Sequence, residues 1–140
     1  MVVHPVNSPA TSSRIVCLLD PDEALTRRLA DLLGPIGADV RVFRAGSEFL
    51  AERGLQPMCV VSEMRLPDMT GVELITALRK RQVDAPVILL AAESDVATAV
   101  SAMRAGALDF IEKPHVDRLL AWHVSRLLEG RAIPASDRSD

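Results

Sequence analysis

Five strand-like apolar runs alternate along the chain with five segments of helical periodicity, and that order predicts an α/β fold: a parallel five-stranded sheet covered on both faces by five helices. Two details sharpen the expectation. The fourth run, VILLAA from Val87, is apolar at every position, as suits a central strand buried on both faces. The first and third runs end in an acid and the fifth leads into a lysine, which places charged groups along one rim of the sheet. At 140 residues and 49% hydrophobic content the chain is sized for a single core.

The first strand is expected over Arg14–Asp20 (RIVCLLD). The first helix opens near Asp22, carries Ala24, Leu25, Leu29, Leu32 and Leu33 on one face, and stops at Gly34-Pro35. Asp39–Phe43 (DVRVF) sets Val40 and Val42 against Arg41, the pattern of an edge strand with one wetter face. A short second helix starts at Ser47, and the third strand runs from Met58 to Glu63. After the loop RLPDMTG, Thr70 and Glu73 have the spacing of a capping box, and Val72, Leu74, Ile75 and Leu78 give the third helix its apolar side. The fourth helix is expected from about Asp95 to Ala105, with Val96, Ala99, Val100 and Met103 buried and Gly106 ending it. Leu108–Ile111 forms the fifth strand, and the last helix runs from His115 to about Leu128.

On that last helix Val116, Leu119, Leu120, Val124, Leu127 and Leu128 form one stripe, and Trp122 falls opposite it. The only tryptophan is thus expected outward, as an interface anchor or packed on a neighbouring loop. His123 lies within the stripe and reads as a hydrogen-bonded histidine at the core edge. Cys17 and Cys59, both inside apolar runs, read as buried free thiols. Residues 1–12 and 131–140 read as loose tails around a domain over 13–130.

Several function classes find no support. The apolar runs are far shorter than the roughly 20 residues of a membrane helix, and no basic cluster precedes an apolar core at the N-terminus, so a cytoplasmic location is expected. A formal net charge of -3 argues against attraction to nucleic acid or to anionic membrane. LLDPDE after the first strand puts acids where a nucleotide phosphate would need glycine-rich amides. What remains is the rim itself. Asp20, Glu63 and Lys113 end three strands side by side, which reads as a small anion or metal site or, equally, as a structural ion-pair cluster.

LLDPDE, RLPDMTGVEL and AMRAGALDFIEKP, in that order, resemble the receiver domain of bacterial two-component response regulators, over roughly Arg14–Leu128 and in the style of nitrogen-fixation transcriptional regulators. The resemblance implies a flavodoxin-like sheet of order 2-1-3-4-5 and a signalling module rather than an enzyme. It also implies roles for single positions. A working receiver takes a phosphoryl group from a histidine kinase onto an aspartate ending strand three, and here Glu63 stands there. Of the paired acids that hold magnesium, Asp20 matches the first while Pro21 takes the place of the second. The hydroxyl that reads the phosphoryl group is replaced by Ala91, whereas Lys113 and the switch aromatic Phe110 are kept.

These departures lead to the expectation of a pseudo-receiver: a stand-alone interaction module that works without phosphorylation, with Glu63 as a fixed charge facing Lys113. The alternative is a degenerate receiver that still accepts phosphate from a histidine kinase, on Glu63 or on another acid such as Asp68. No cofactor is expected beyond a weak magnesium site from Asp20, Glu63 and the Arg65 carbonyl, with Asp22 a poor substitute because it opens the first helix. Expected partners are signalling proteins, a histidine kinase or another response regulator. A homodimer through helix four, strand five and helix five, with Trp122 on that surface, is also expected. The dozen residues after the last helix are too few for a DNA-binding output domain.

Overall fold

The structure, a computed structural model, describes residues 13–130 apart from Ser94, so the tails expected at 1–12 and 131–140 lie outside the described residues. Five strands and five helices alternate: β1 (Ile15–Leu19), α1 (Glu23–Leu33), β2 (Asp39–Phe43), α2 (Gly46–Leu50), β3 (Cys59–Glu63), α3 (Gly71–Lys80), β4 (Val87–Ala91), α4 (Val96–Arg104), β5 (Asp109–Glu112) and α5 (Val116–Gly130). A single 3-10 turn, Lys113–His115, joins β5 to α5. All neighbouring strands run parallel in the order β2-β1-β3-β4-β5, the flavodoxin-like order expected.

Alternation along the central strands divides the core into two layers. Val16, Leu18, Val61, Ile88 and Leu90 face α1 and α5, while Cys17, Leu19, Val60 and Leu89 face α2, α3 and α4. Cys59 pairs with Val16, so Cys17 and Cys59 point to opposite faces of the sheet; both are free buried thiols. The capping box of α3 is complete: Glu73 N–H donates to Thr70 Oγ1 at 3.1 Å and Thr70 N–H to Glu73 Oε1 at 2.9 Å. Gly71, directly after that cap, is packed tightly: a Cβ there would sit 2.5 Å from Leu89 Cδ2 and force that buried side chain to shift.

Four expectations about faces are corrected. On α1, Ala24 is exposed and Thr26 is buried, its hydroxyl satisfied by the Glu23 carbonyl at 3.2 Å. Gly34 caps α1, the stop that was expected, in a right-handed conformation, and a positive φ of 119° falls three residues on at Gly37. The α4 face was inverted: Val96 is 80% exposed and Val100 and Met103 also stand outside, while Ala102 is the residue that is buried. Ala102 carries so little apolar area that the larger Val and Met side chains dominate the sequence pattern. Val42 on β2 and Leu119 on α5 are likewise exposed rather than packed.

Candidate functional site

The parallel order brings the carboxyl ends of β1, β3 and β5 to one rim, where Asp20, Glu63 and Lys113 meet. Asp20 N–H donates to the Phe43 carbonyl at 3.0 Å and Met64 N–H to the Leu90 carbonyl at 2.7 Å, which extends the sheet's ladder into both loops. The Lys113 ammonium lies 2.5 Å from Glu63 Oε1 and 3.0 Å from Asp20 Oδ2. Burial works against the charge on Lys113, but the two carboxylates outweigh it and hold the ammonium above the usual lysine range.

The acids are held by backbone as well. Glu63 Oε2 accepts from Arg65 N–H at 2.9 Å, and Asp20 Oδ1 accepts from Asp22 N–H at 2.9 Å. Asp20 Oδ2 is different: it is buried and accepts no hydrogen bond, so its contact with Lys113 is an ion pair without good donor alignment. A magnesium ion needs near-octahedral oxygen ligands, and this donor set does not fit one. Both Glu63 oxygens are engaged, Asp20 offers one open oxygen beside an ammonium, and Pro21 offers no side-chain ligand. Among the described residues, no group of three or more His, Cys, Asp or Glu side chains is arranged to hold a metal.

Asp22 faces away from the cluster's work: exposed, it caps α1 by accepting from Leu25 N–H at 3.1 Å. Arg65 donates its backbone N–H to Glu63 Oε2. Beside Glu63 opens a cleft of about 560 Å³, lined by Arg65, Ala91, Glu93, Asp95 and Thr98. Glu93, Asp95 and Thr98 were not singled out from sequence. Asp95 is the N-cap of α4, and the Thr98 amide, 2.7 Å away, holds its carboxyl below the usual range. Ala91 presents only a methyl group to this cleft.

Asp68 is committed elsewhere. Its carboxylate accepts from Gly46 N–H at 3.0 Å and Ser47 N–H at 2.8 Å, tying the β3–α3 loop to the start of α2. The contacts with Ser47 and Gly46 outweigh a small desolvation effect and lower its pKa. No sequence signal announces this tether, which spans more than twenty residues. Phe110 is half-buried against the α2–α4 core layer. On α5, Trp122 is 55% exposed, with the Arg126 guanidinium 5.2 Å from its ring centre. His123 Nε2 lies 2.7 Å from Asp109 Oδ2, the core-edge hydrogen bond expected.

The sequence model of the response regulator receiver domain matches residues 16–124. The transcriptional regulatory protein FixJ of Rhizobium meliloti is 34% identical over 126 residues, covering 89% of this chain and 62% of FixJ, so the chain spans about three fifths of that relative's length. A response regulator receiver protein from Pseudoalteromonas atlantica has a solved structure that superposes with a TM-score of 0.76 at 34% identity, over 83% of this chain and 98% of that one. The beryllofluoride-activated NtrC4 receiver domain dimer superposes at 0.75 and 28% identity, over 84% and 98%. With the fold, the sheet order and these likenesses in agreement, the chain belongs to the response regulator receiver domain family.

Proposed function

We propose that this chain is a pseudo-receiver, acting in two-component signalling through protein contacts that do not depend on phosphorylation. The observation that carries the reading is the 2.5 Å pair between Glu63 and Lys113: the ammonium that would answer a phosphoryl oxygen is already held by a carboxylate of the chain itself. Phosphoryl transfer rests on in-line positioning and charge neutralisation. Glutamate moves the acceptor oxygen outward by one methylene, about 1.5 Å, and such a misplacement costs roughly 100-fold. The donor set around Asp20 and Pro21 is poor for magnesium, and Ala91 has no hydroxyl to offer a phosphoryl group. Glu63 therefore acts as a fixed charge that holds one conformation.

The alternative, a degenerate receiver still phosphorylated by a histidine kinase, is favoured by one observation: Asp20 Oδ2 accepts no hydrogen bond and is held only by the Lys113 ammonium, so it has capacity left for a weakly held cation. Glu63 would then be the acceptor, because it ends β3 beside the cleft and Lys113, whereas Asp68 is tied to the start of α2. Intact-mass measurement after incubation with magnesium and acetyl phosphate separates the two. An unmodified mass is expected; a stoichiometric phosphoryl adduct overturns the pseudo-receiver reading.

The partners on this reading are signalling proteins, a histidine kinase or another response regulator, in a cytoplasmic setting. They would meet the face of α4, β5 and α5, where Met103, Leu108 and Trp122 stand exposed. A second copy of the chain is a further candidate for that face, in keeping with the dimer described for the NtrC4 receiver.

A further inference from the structure

We propose that a pocket at the opposite end of the sheet from Lys113 binds a small amphipathic carboxylate, an organic acid with a short aliphatic or aromatic body. The pocket, about 330 Å³, lies where the ends of α2 and α3 meet the segments leading into β3 and β4. That volume is within the range of small-molecule sites, which are mostly apolar with a few polar groups for orientation. Phe49 and Leu50 of α2, Leu55 and Pro57 before β3, and Leu78 and Val83 give it apolar walls.

Its charged rim selects the ligand's sign. Arg53, Arg81 and Glu52 line the pocket, and neither guanidinium has an ion-pair partner among the described residues. With two guanidinium groups against one carboxylate, the rim is net positive. Arg81 is held in place by donating from Nη1 to the Leu50 carbonyl at 2.6 Å, which fixes a guanidinium at the mouth before any ligand arrives. A planar carboxylate suits guanidinium donors, while the body of the ligand replaces water against Phe49, Leu55 and Leu78.

The pocket is also connected to the rim site. α3 starts from the loop that follows Glu63, and Asp68 in that loop accepts from the first amides of α2, so both helices that wall the pocket are tied to it at their N-termini.

The test is an amide chemical-shift titration of the protein with octanoate, alongside octanol and acetate. Octanoate is expected to move the amides of residues 49–57 and 78–83 saturably, with octanol and acetate at least tenfold weaker. Arg53→Glu should weaken octanoate at least tenfold with an unchanged circular dichroism spectrum. Arg81→Lys, which keeps charge but loses the planar fork, should weaken it less. The proposal is overturned if octanoate leaves these amides in place at millimolar concentration, if it binds only elsewhere, or if octanol matches it.

Discussion

Lys113 sits 2.5 Å from Glu63 and at the same time 3.0 Å from Asp20, so one ammonium pairs with two buried carboxylates that no other side chain pairs with among the described residues. Removing it strands both acids. Lys113→Met is expected to destabilise the fold by about 3 kcal/mol at pH 7, the usual cost of breaking a buried pair on one side. Urea melts should show the loss shrinking as pH falls and the stranded acids protonate. Lys113→Arg, which keeps the charge, should cost less than half as much. A loss below about 0.5 kcal/mol for Lys113→Met, in the range of an ordinary surface change, would show that the cluster is not a unit.

On the pseudo-receiver reading, three positions separate this rim from a phosphorylatable one: Pro21, Glu63 and Ala91. Each would then block a different requirement, and restoring one alone would leave the others limiting. Glu63→Asp is expected to accept little phosphate from acetyl phosphate and magnesium, whereas Pro21→Asp, Glu63→Asp and Ala91→Thr together should give a stoichiometric adduct by intact mass. The gain expected between single and triple variant is at least about 100-fold in rate, since both carry the corrected acceptor and the restored hydroxyl alone supplies a transition-state donor of the kind worth roughly that much. Equal rates for the two would mean that Pro21 and Ala91 do not limit the reaction.

The strands and the capping box were legible in the sequence because their signals are local: β2 spans Asp39–Phe43 as read, and Thr70 caps α3 as read. The convergence of Asp20, Glu63 and Lys113 was legible too, since parallel strands place their carboxyl ends together. What failed depends on contacts across the chain. The inward side of α4 rests on Ala102, which lets the helix approach the sheet closely but contributes almost nothing to a hydrophobic pattern. Thr26 scores as polar, although its hydroxyl is satisfied within its own helix. Unannounced by any residue type, rather than misread, are the Arg65 amide on Glu63 and the Arg65–Thr70 bridge that closes the same loop.

Burial pushes the thiols of Cys17 and Cys59 up to about 12 from an ordinary 9.0. A folded value above the unfolded one means that the stability is intact below pH 9 and is lost as pH rises from there towards 12. Lys113, raised above 10.5, adds a loss of the same sign at higher pH. Urea melts between pH 8 and 10.5 should therefore show stability falling, by up to about 1.4 kcal/mol per pH unit for each thiol. The chain has no tyrosine to confuse the titration. Cys17→Ala and Cys59→Ala should each flatten the slope while lowering the starting stability. In the native protein at pH 8 neither thiol should react with a disulfide reagent until urea is added.

Trp122 separates folding from association. More than half of it faces solvent, and the Arg126 guanidinium on the same helix lies 5.2 Å from its ring centre, a contact worth about 0.5–1 kcal/mol at an exposed site. Trp122→Ala should therefore change the unfolding free energy by no more than about 1 kcal/mol. Association through α4, β5 and α5 should respond far more, because a buried aromatic anchor contributes about 2 kcal/mol or more, roughly 30-fold in affinity. Sedimentation velocity reads the self-association, and affinity capture of a histidine kinase or regulator reads the rest. As the only tryptophan, Trp122 also reports directly, since its emission should shift to the blue when the face is covered. Met103→Asp, on the neighbouring helix, should weaken the same association without touching the Glu63–Lys113 cluster. If both variants associate like the wild type, the face of α4, β5 and α5 is not where this domain meets its partners.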